Sequence, residues 1–157
     1  MKIRALAQRD REKLYSMLVE TRVFTREEIE VAMELIDIVL KDPNQEDYRI
    51  DCMANDEDQA IGYVCYGPVP MTQGTFDLYW IVVDEDLKGS GIGRALVEKT
   101  QEILCFLSGR MIVAETSGLP AYAAARGFYM KCGFSEEARI KDFYKPDDDI
   151  VFFVKRL

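Results

Sequence analysis

Seven consecutive residues near the middle of the chain, Lys88-Gly89-Ser90-Gly91-Ile92-Gly93-Arg94, combine the types that bind an anion without a metal. They follow a strand-like run ending at Val83-Asp84 and open a helical pattern from Gly93. A helix start carries amides with no intrahelical acceptor and the positive end of the macrodipole, so glycines that let a ligand approach this backbone predict a phosphate site. Lys88, Ser90 and Arg94 can add charge or hydroxyl donors. The spacing excludes two nucleotide readings. Nothing matches GxxxxGK[ST], and the dinucleotide pattern GxGxxG or GxGxxA fails because Gly89-x-Gly91 leads to Arg94 and Gly91-x-Gly93 to Leu96.

Composition narrows the chemistry further. The 157 residues suit one domain with a substantial core, spanning 1–157. There is no histidine, so imidazole bases, Ser-His-Asp or Cys-His nucleophiles and His-ligated metals are excluded. Proton transfer falls to carboxylates, Tyr, Cys, Lys, backbone or water. A net charge of -8 argues against binding nucleic acid through its phosphates and is weakly suited to a cationic substrate. Cys52, Cys65, Cys105 and Cys132 show no CxxC spacing and read as reduced core thiols, which predicts a cytoplasmic protein. No apolar run approaches the roughly 20 residues of a membrane span, so no membrane partner is expected.

The elements that must position the glycine turn follow from periodicity. Lys2 to Leu6 reads as a short strand, and Leu14, Met17 and Leu18 mark a helix from about Asp10 to Glu20. Thr25 and Glu28 have capping-box spacing ahead of a second helix, whose apolar face is Ile29, Met33, Ile36 and Leu40 and which Asp42-Pro43-Asn44 stops. Tyr48 to Ala54 and Gln59 to Tyr66 form a hairpin, and Thr75 to Val83 a central strand. A helix from Gly93 to Leu107, a buried strand from Met111 to Ala114 and a helix from Ala121 to Lys131 come next. Arg139 to Phe143 and Ile150 to Val154 are the last strands. The expected fold class is mixed α/β around one sheet.

Two segments carry a family resemblance. Lys88-x-x-Gly91-x-Gly93 resembles the coenzyme A pyrophosphate signature of the GNAT acetyltransferase superfamily, with Lys where Arg or Gln is usual. Phe128-Tyr129-Met130-Lys131-Cys132-Gly133-Phe134 resembles that family's helix ending in Tyr, three residues, then Gly-Phe. The resemblance implies a GNAT-like fold, a central mixed sheet flanked by helices, in which two parallel strands, here Thr75 to Val83 and Met111 to Ala114, splay around acyl-CoA. It implies that Ile81 and Val83 present backbone groups to the pantetheine arm and thioester. Gly89, Ser90, Gly91, Ile92, Gly93 and Arg94 would then hold the pyrophosphate.

The implied activity is transfer of an acetyl group from acetyl-CoA to a primary amine on a small molecule or peptide, with no metal. Tyr129 takes the general-acid position, since a phenol with a pKa of about 10 keeps its proton at neutral pH. Glu115, at the end of the second splayed strand, is the candidate base, with Asp77 and Tyr79 as competitors. Where many members carry Asn seven residues before the acid, this chain has Tyr122; it and Arg126 are candidates to line the coenzyme or acceptor pocket. Related proteins are commonly homodimers, and no feature of this sequence demands one. A catalytically silent acyl-CoA-binding or sensing domain is the alternative function, and a ligand-free interaction module a third class.

Overall fold

Alternating and β-branched runs between residues 49 and 83 place three antiparallel strands side by side: β2 (Arg49–Ala54), β3 (Ala60–Pro68) and β4 (Thr75–Val83). The computed structural model describes all residues 1–157 and extends this meander into a seven-stranded mixed sheet. β1 (Lys2–Ala5), β5 (Met111–Ser117), β6 (Ser135–Lys145) and β7 (Asp148–Arg156) complete the order β1-β2-β3-β4-β5-β7-β6. Only β4 and β5 run parallel, and a parallel pair needs a long crossover. Helix α3 (Ile92–Phe106) supplies it.

Helices cover both faces. α1 (Arg11–Glu20) and α2 (Arg26–Lys41) bury Leu14, Met17, Leu18 and Ile36 against Cys52, Tyr63 and Val82 on one side. α3 and α4 (Ala123–Lys131) bury Leu96, Val97, Leu104 and Tyr129 against Leu78, Ile112, Ala114 and Phe153 on the other. The Thr25 hydroxyl accepts the Glu28 amide while the Glu28 carboxylate accepts the Thr25 amide, forming the expected capping box. No helix is long and apolar enough to cross a membrane.

The structure adjusts several sequence readings. β5 runs on to Ser117, and both final strands are longer than the predicted cores, because β7 pairs with all of β5 and then with β6. Ladder bonds recruit residues whose own patterning is not strand-like. Of the four cysteines, Cys52, Cys65 and Cys132 are buried thiols, but Cys105 is exposed on the last turn of α3.

The parting of β4 and β5 has two local causes. Leu78 and Trp80 pair with the adjacent residues Tyr66 and Cys65, which leaves Tyr79 as an extra residue, a β-bulge that bends β4. Beyond it β4 stays with β3, Ile81 opposite Val64 and Val83 opposite Gly62. Meanwhile β5 stays with β7, Glu115 opposite Phe152 and Ser117 opposite Ile150. Parallel pairing therefore covers only Thr75–Leu78 against Met111–Ala114.

At the sheet's outer edge Asp10 is 2% exposed and accepts a bidentate pair from Arg4 at 2.7 and 2.9 Å plus the Ala7 amide at 2.9 Å. Burial pushes this carboxyl up, yet the Arg4 and Ala7 donors outweigh it and hold it below the usual carboxylate value. A depressed folded-state value stabilises above the unfolded value of about 3.9, and that contribution is lost as pH falls through it. Asp10→Asn leaves Arg4 only its pairing with Asp58 and should cost about 2 kcal/mol near pH 7. Urea denaturation across pH should show the gap to wild type closing below about pH 4.

Candidate functional site

The turn between β4 and α3 is built from backbone rather than side chains. Gly89 and Gly91 hold φ of +81° and +89°, and an added Cβ at either would meet nothing within 4 Å. Glycine is required there by the left-handed backbone, and the space above is open. Gly93 serves packing instead, since its Cβ would lie 3.0 Å from the Phe128 ring, and the missing side chain lets α4 pack against the start of α3. Among the amides from Gly89 to Arg94, only that of Ser90 is donated within the chain, to the Leu87 carbonyl at 3.2 Å. Gly89, Gly91, Ile92, Gly93 and Arg94 leave five N–H groups without a partner at the positive end of α3.

The three expected side-chain donors are turned elsewhere. The Ser90 hydroxyl donates to the Leu87 carbonyl, Lys88 pairs with Glu85, and Arg94 donates to Glu98 at 2.8 Å. Both ion pairs are exposed and therefore weak, so these cations stay available to an arriving anion. Ile81 and Val83 line the gap beyond the bulge. The Asp84 amide bonds the Ile61 carbonyl, so by strand alternation residues 82 and 84 address β3 and the backbone groups of 81 and 83 face the gap.

Tyr129 sits on the α3/α4 side, on the last turn of α4. Its ring packs among Phe128, Phe134 and Phe153 with centroids 5.7, 5.4 and 5.6 Å away. The residue is 7% exposed, and its hydroxyl has no protein partner yet is not fully enclosed. Burial pushes the phenol well above its usual value, so it holds its proton. The Gly-Phe that follows has a mechanical role. Gly133, with φ of +83°, donates to the Met130 carbonyl, and the Phe134 amide donates to the Tyr129 carbonyl at 3.0 Å. This is a Schellman stop whose hydrophobic contact is Phe134 against the Tyr129 ring.

Asp77 and Glu115 lie on the opposite face. Phe76, Leu78, Ile112 and Ala114 belong to the α3/α4 core, so their neighbours Asp77 and Glu115 point to the α1/α2 side. Glu115 is just past the last residue paired with β4. Neither carboxylate has an ion-pair partner. Partial burial raises both, and the Asp77 charge adds to the rise at Glu115. Tyr79 packs edge-on against Tyr48 at 5.4 Å, with its phenol pushed up to about 12 by burial and then by Asp77.

Two further candidates are tied to other segments of the chain. Arg126 donates to the Ser117 and Leu119 carbonyls at 2.7 and 2.9 Å, bracing the loop after β5. Tyr122 donates to the Glu28 carboxylate at 2.9 Å, a contact across 94 residues that no linear spacing announces. Likewise unannounced is the buried hydrogen bond from the Ser117 hydroxyl to Asp148.

Residues 49–136 match the family model described as the acetyltransferase (GNAT) domain. A protein from Desulfovibrio desulfuricans assigned to the GNAT family is 38% identical, with 99% of this chain and 98% of that chain covered and a TM-score of 0.91. An aminoglycoside 6'-N-acetyltransferase complexed with coenzyme A shares the fold at 15% identity, 99% and 97% coverage and a TM-score of 0.77. So does the ribosomal-protein-alanine N-acetyltransferase of Brucella melitensis, at 20% identity, full coverage of both chains and 0.75. No curated protein sequence matches. The chain belongs to the GNAT acetyltransferase family.

Gly133→Ala forces a Cβ into a left-handed backbone at the stop that carries Tyr129. It should cost about 1 kcal/mol, or about 2–4 °C in thermal unfolding at this chain length, while sparing the overall circular dichroism spectrum.

Proposed function

We propose that the chain moves an acetyl group from acetyl-CoA to a primary amine by direct attack on the thioester. The reading is carried by what converges on the gap between β4 and β5. Five undonated amides lie at the start of α3, a partnerless Tyr129 hydroxyl on the α3/α4 side, and two unpaired carboxylates on the other face. Pyrophosphate on the amides of residues 89–94 would lay the pantetheine arm along the free edge of β4, where Ile81 and Val83 offer backbone partners.

The acceptor approaches from the carboxylate face. Its ammonium is attracted there, and Glu115, directly or through water, removes a proton so that the nitrogen lone pair can attack the carbonyl carbon. Raised carboxylate values suit a base, and the Asp77 charge adds to the rise that burial causes at Glu115. As the C–N bond forms, the C–S bond breaks, Tyr129 donates its proton to the departing sulfur, and the bonded nitrogen releases its second proton to solvent. The products are an N-acetyl amide and the coenzyme A thiol, and solvent reprotonates Tyr129. Much of the acceleration comes from alignment of two bound substrates. The unneutralised Asp77 and Glu115 favour a cationic acceptor, on a small molecule or a peptide.

Thiol release from acetyl-CoA across spermidine, L-lysine, kanamycin and an alanine-terminated peptide tests the reading. Turnover on at least one is expected; tight acetyl-CoA binding with no turnover on any would instead establish a silent acyl-CoA-binding domain. Tyr129→Phe should lower kcat about 100-fold or more with little change in acetyl-CoA affinity, and full activity would remove it as the acid. Gly91→Glu sets a carboxylate into the open space above the amides, so calorimetry should find acetyl-CoA binding abolished, and unchanged affinity would defeat the site assignment.

A further inference from the structure

On the α1/α2 side of the sheet, α1 and α2 pack over β2, β3 and β4, whereas α3 and α4 belong to the opposite face. Asp77 and Glu115 look out through this half-open face. One side of the opening is the connection from α1 to α2 and the first turn of α2, anchored where Phe24 packs edge-on against Trp80 at 5.1 Å. The other side is the connection from β5 to α4. That connection is stiff: Ser117 bonds Asp148 and accepts the Leu119 amide, and Arg126 holds two carbonyls of residues 117 and 119.

Tyr122 joins the two sides. Its hydroxyl lies 3.0 and 2.9 Å from the two carboxylate oxygens of Glu28 and 3.4 Å from the Val23 carbonyl. Glu28 is already fixed by the capping box, its carboxylate accepting the Thr25 amide at 2.7 Å. A rigid loop thereby grips the start of α2 through a residue that cannot move without breaking the helix cap. The clasp stands at the ends of the two parted strands, since Phe24 seats the α1–α2 connection on Trp80 of β4 and Tyr122 lies in the turn that follows β5, the strand carrying Glu115. Partial burial and then the charges of Glu115, Asp148 and Glu28 push up the Tyr144 phenol. Burial, then the hydrogen bond and charge of Glu28, and then the charges of Asp148 and Tyr144 do the same for Tyr122.

We infer that Tyr122 is a positioning residue for the acceptor: by clasping Glu28 it holds the first turn of α2 as one wall of the acceptor mouth. It acts through Glu28 and touches neither the thioester nor the coenzyme. The inference rests on the acetyltransferase reading above.

Tyr122→Phe removes one oxygen and leaves the ring to pack, so the fold is retained. With spermidine, L-lysine, kanamycin or the alanine-terminated peptide, whichever wild type turns over, KM for the amine should rise about tenfold. KM for acetyl-CoA and kcat should stay within about twofold. Hydrogen exchange at the amides of Glu28 and Ile29, both donated to Thr25, should speed up about tenfold in the variant, with α4 unchanged. Glu28→Ala, which also removes the bond to the Thr25 amide, should raise the amine KM in wild type and raise it less in the Tyr122→Phe background, as for two ends of one contact. An unchanged amine KM, a risen acetyl-CoA KM, unaltered exchange or additive effects would each overturn the inference. A wild-type chain that turns over none of the four amines defeats the acetyltransferase reading itself, an outcome visible before any variant is made.

Discussion

The active-site geometry depends on competition for the edges of two strands. β5 offers one edge to β4 and the other to β7, and the β7 ladder runs its whole length while the β4 ladder stops after four pairs. β4 in turn keeps its ladder with β3 through and beyond the Tyr79 bulge. Backbone donors and acceptors that lose a strand partner must find another. Along the free edge of β4, that requirement leaves Ile81 and Val83 exposed to a gap instead of to β5, and an extended ligand with its own amides can fill the vacancy.

The helix layers divide the labour around that gap. On one face, a missing side chain at Gly93 brings Phe128 against the start of α3, so the loop with undonated amides and the helix carrying Tyr129 are fixed relative to each other. The Schellman stop then locks the Tyr129 ring against Phe134. On the other face, no such tight packing occurs above Asp77 and Glu115, and charge is left uncompensated. A buried, rigid phenol on one face and unpaired carboxylates on the other are what the proposed transfer asks for, since its leaving group takes up a proton and its nucleophile arrives as a cation.

The wall of that approach is held by polar contacts rather than by core burial. Tyr122 and Glu28 meet across a large sequence separation, and Arg126 and Ser117 organise the segment that carries Tyr122. Contacts of this kind can be retuned without disturbing the hydrophobic layers, so under the proposed reading acceptor preference and fold stability lie in different parts of the molecule.

Much of the fold is legible along the chain because the signals are local. The capping box at Thr25 and Glu28, the glycine turn ahead of α3 and the glycine stop at Gly133 each depend on neighbours within a few residues. Their positions therefore stand in the sequence, as does the absence of histidine and the chemistry it excludes. What spacing leaves open is decided by long-range pairing. The length of β5 follows from β7 and the exposure of Cys105 from the packing of α3. Tyr122 and Arg126 read as candidates to line a pocket, but no periodicity records that they meet the Glu28 carboxylate and the carbonyls of Ser117 and Leu119. Local backbone preferences are written residue by residue, but the partners of a side chain exist only once the sheet has brought remote segments together.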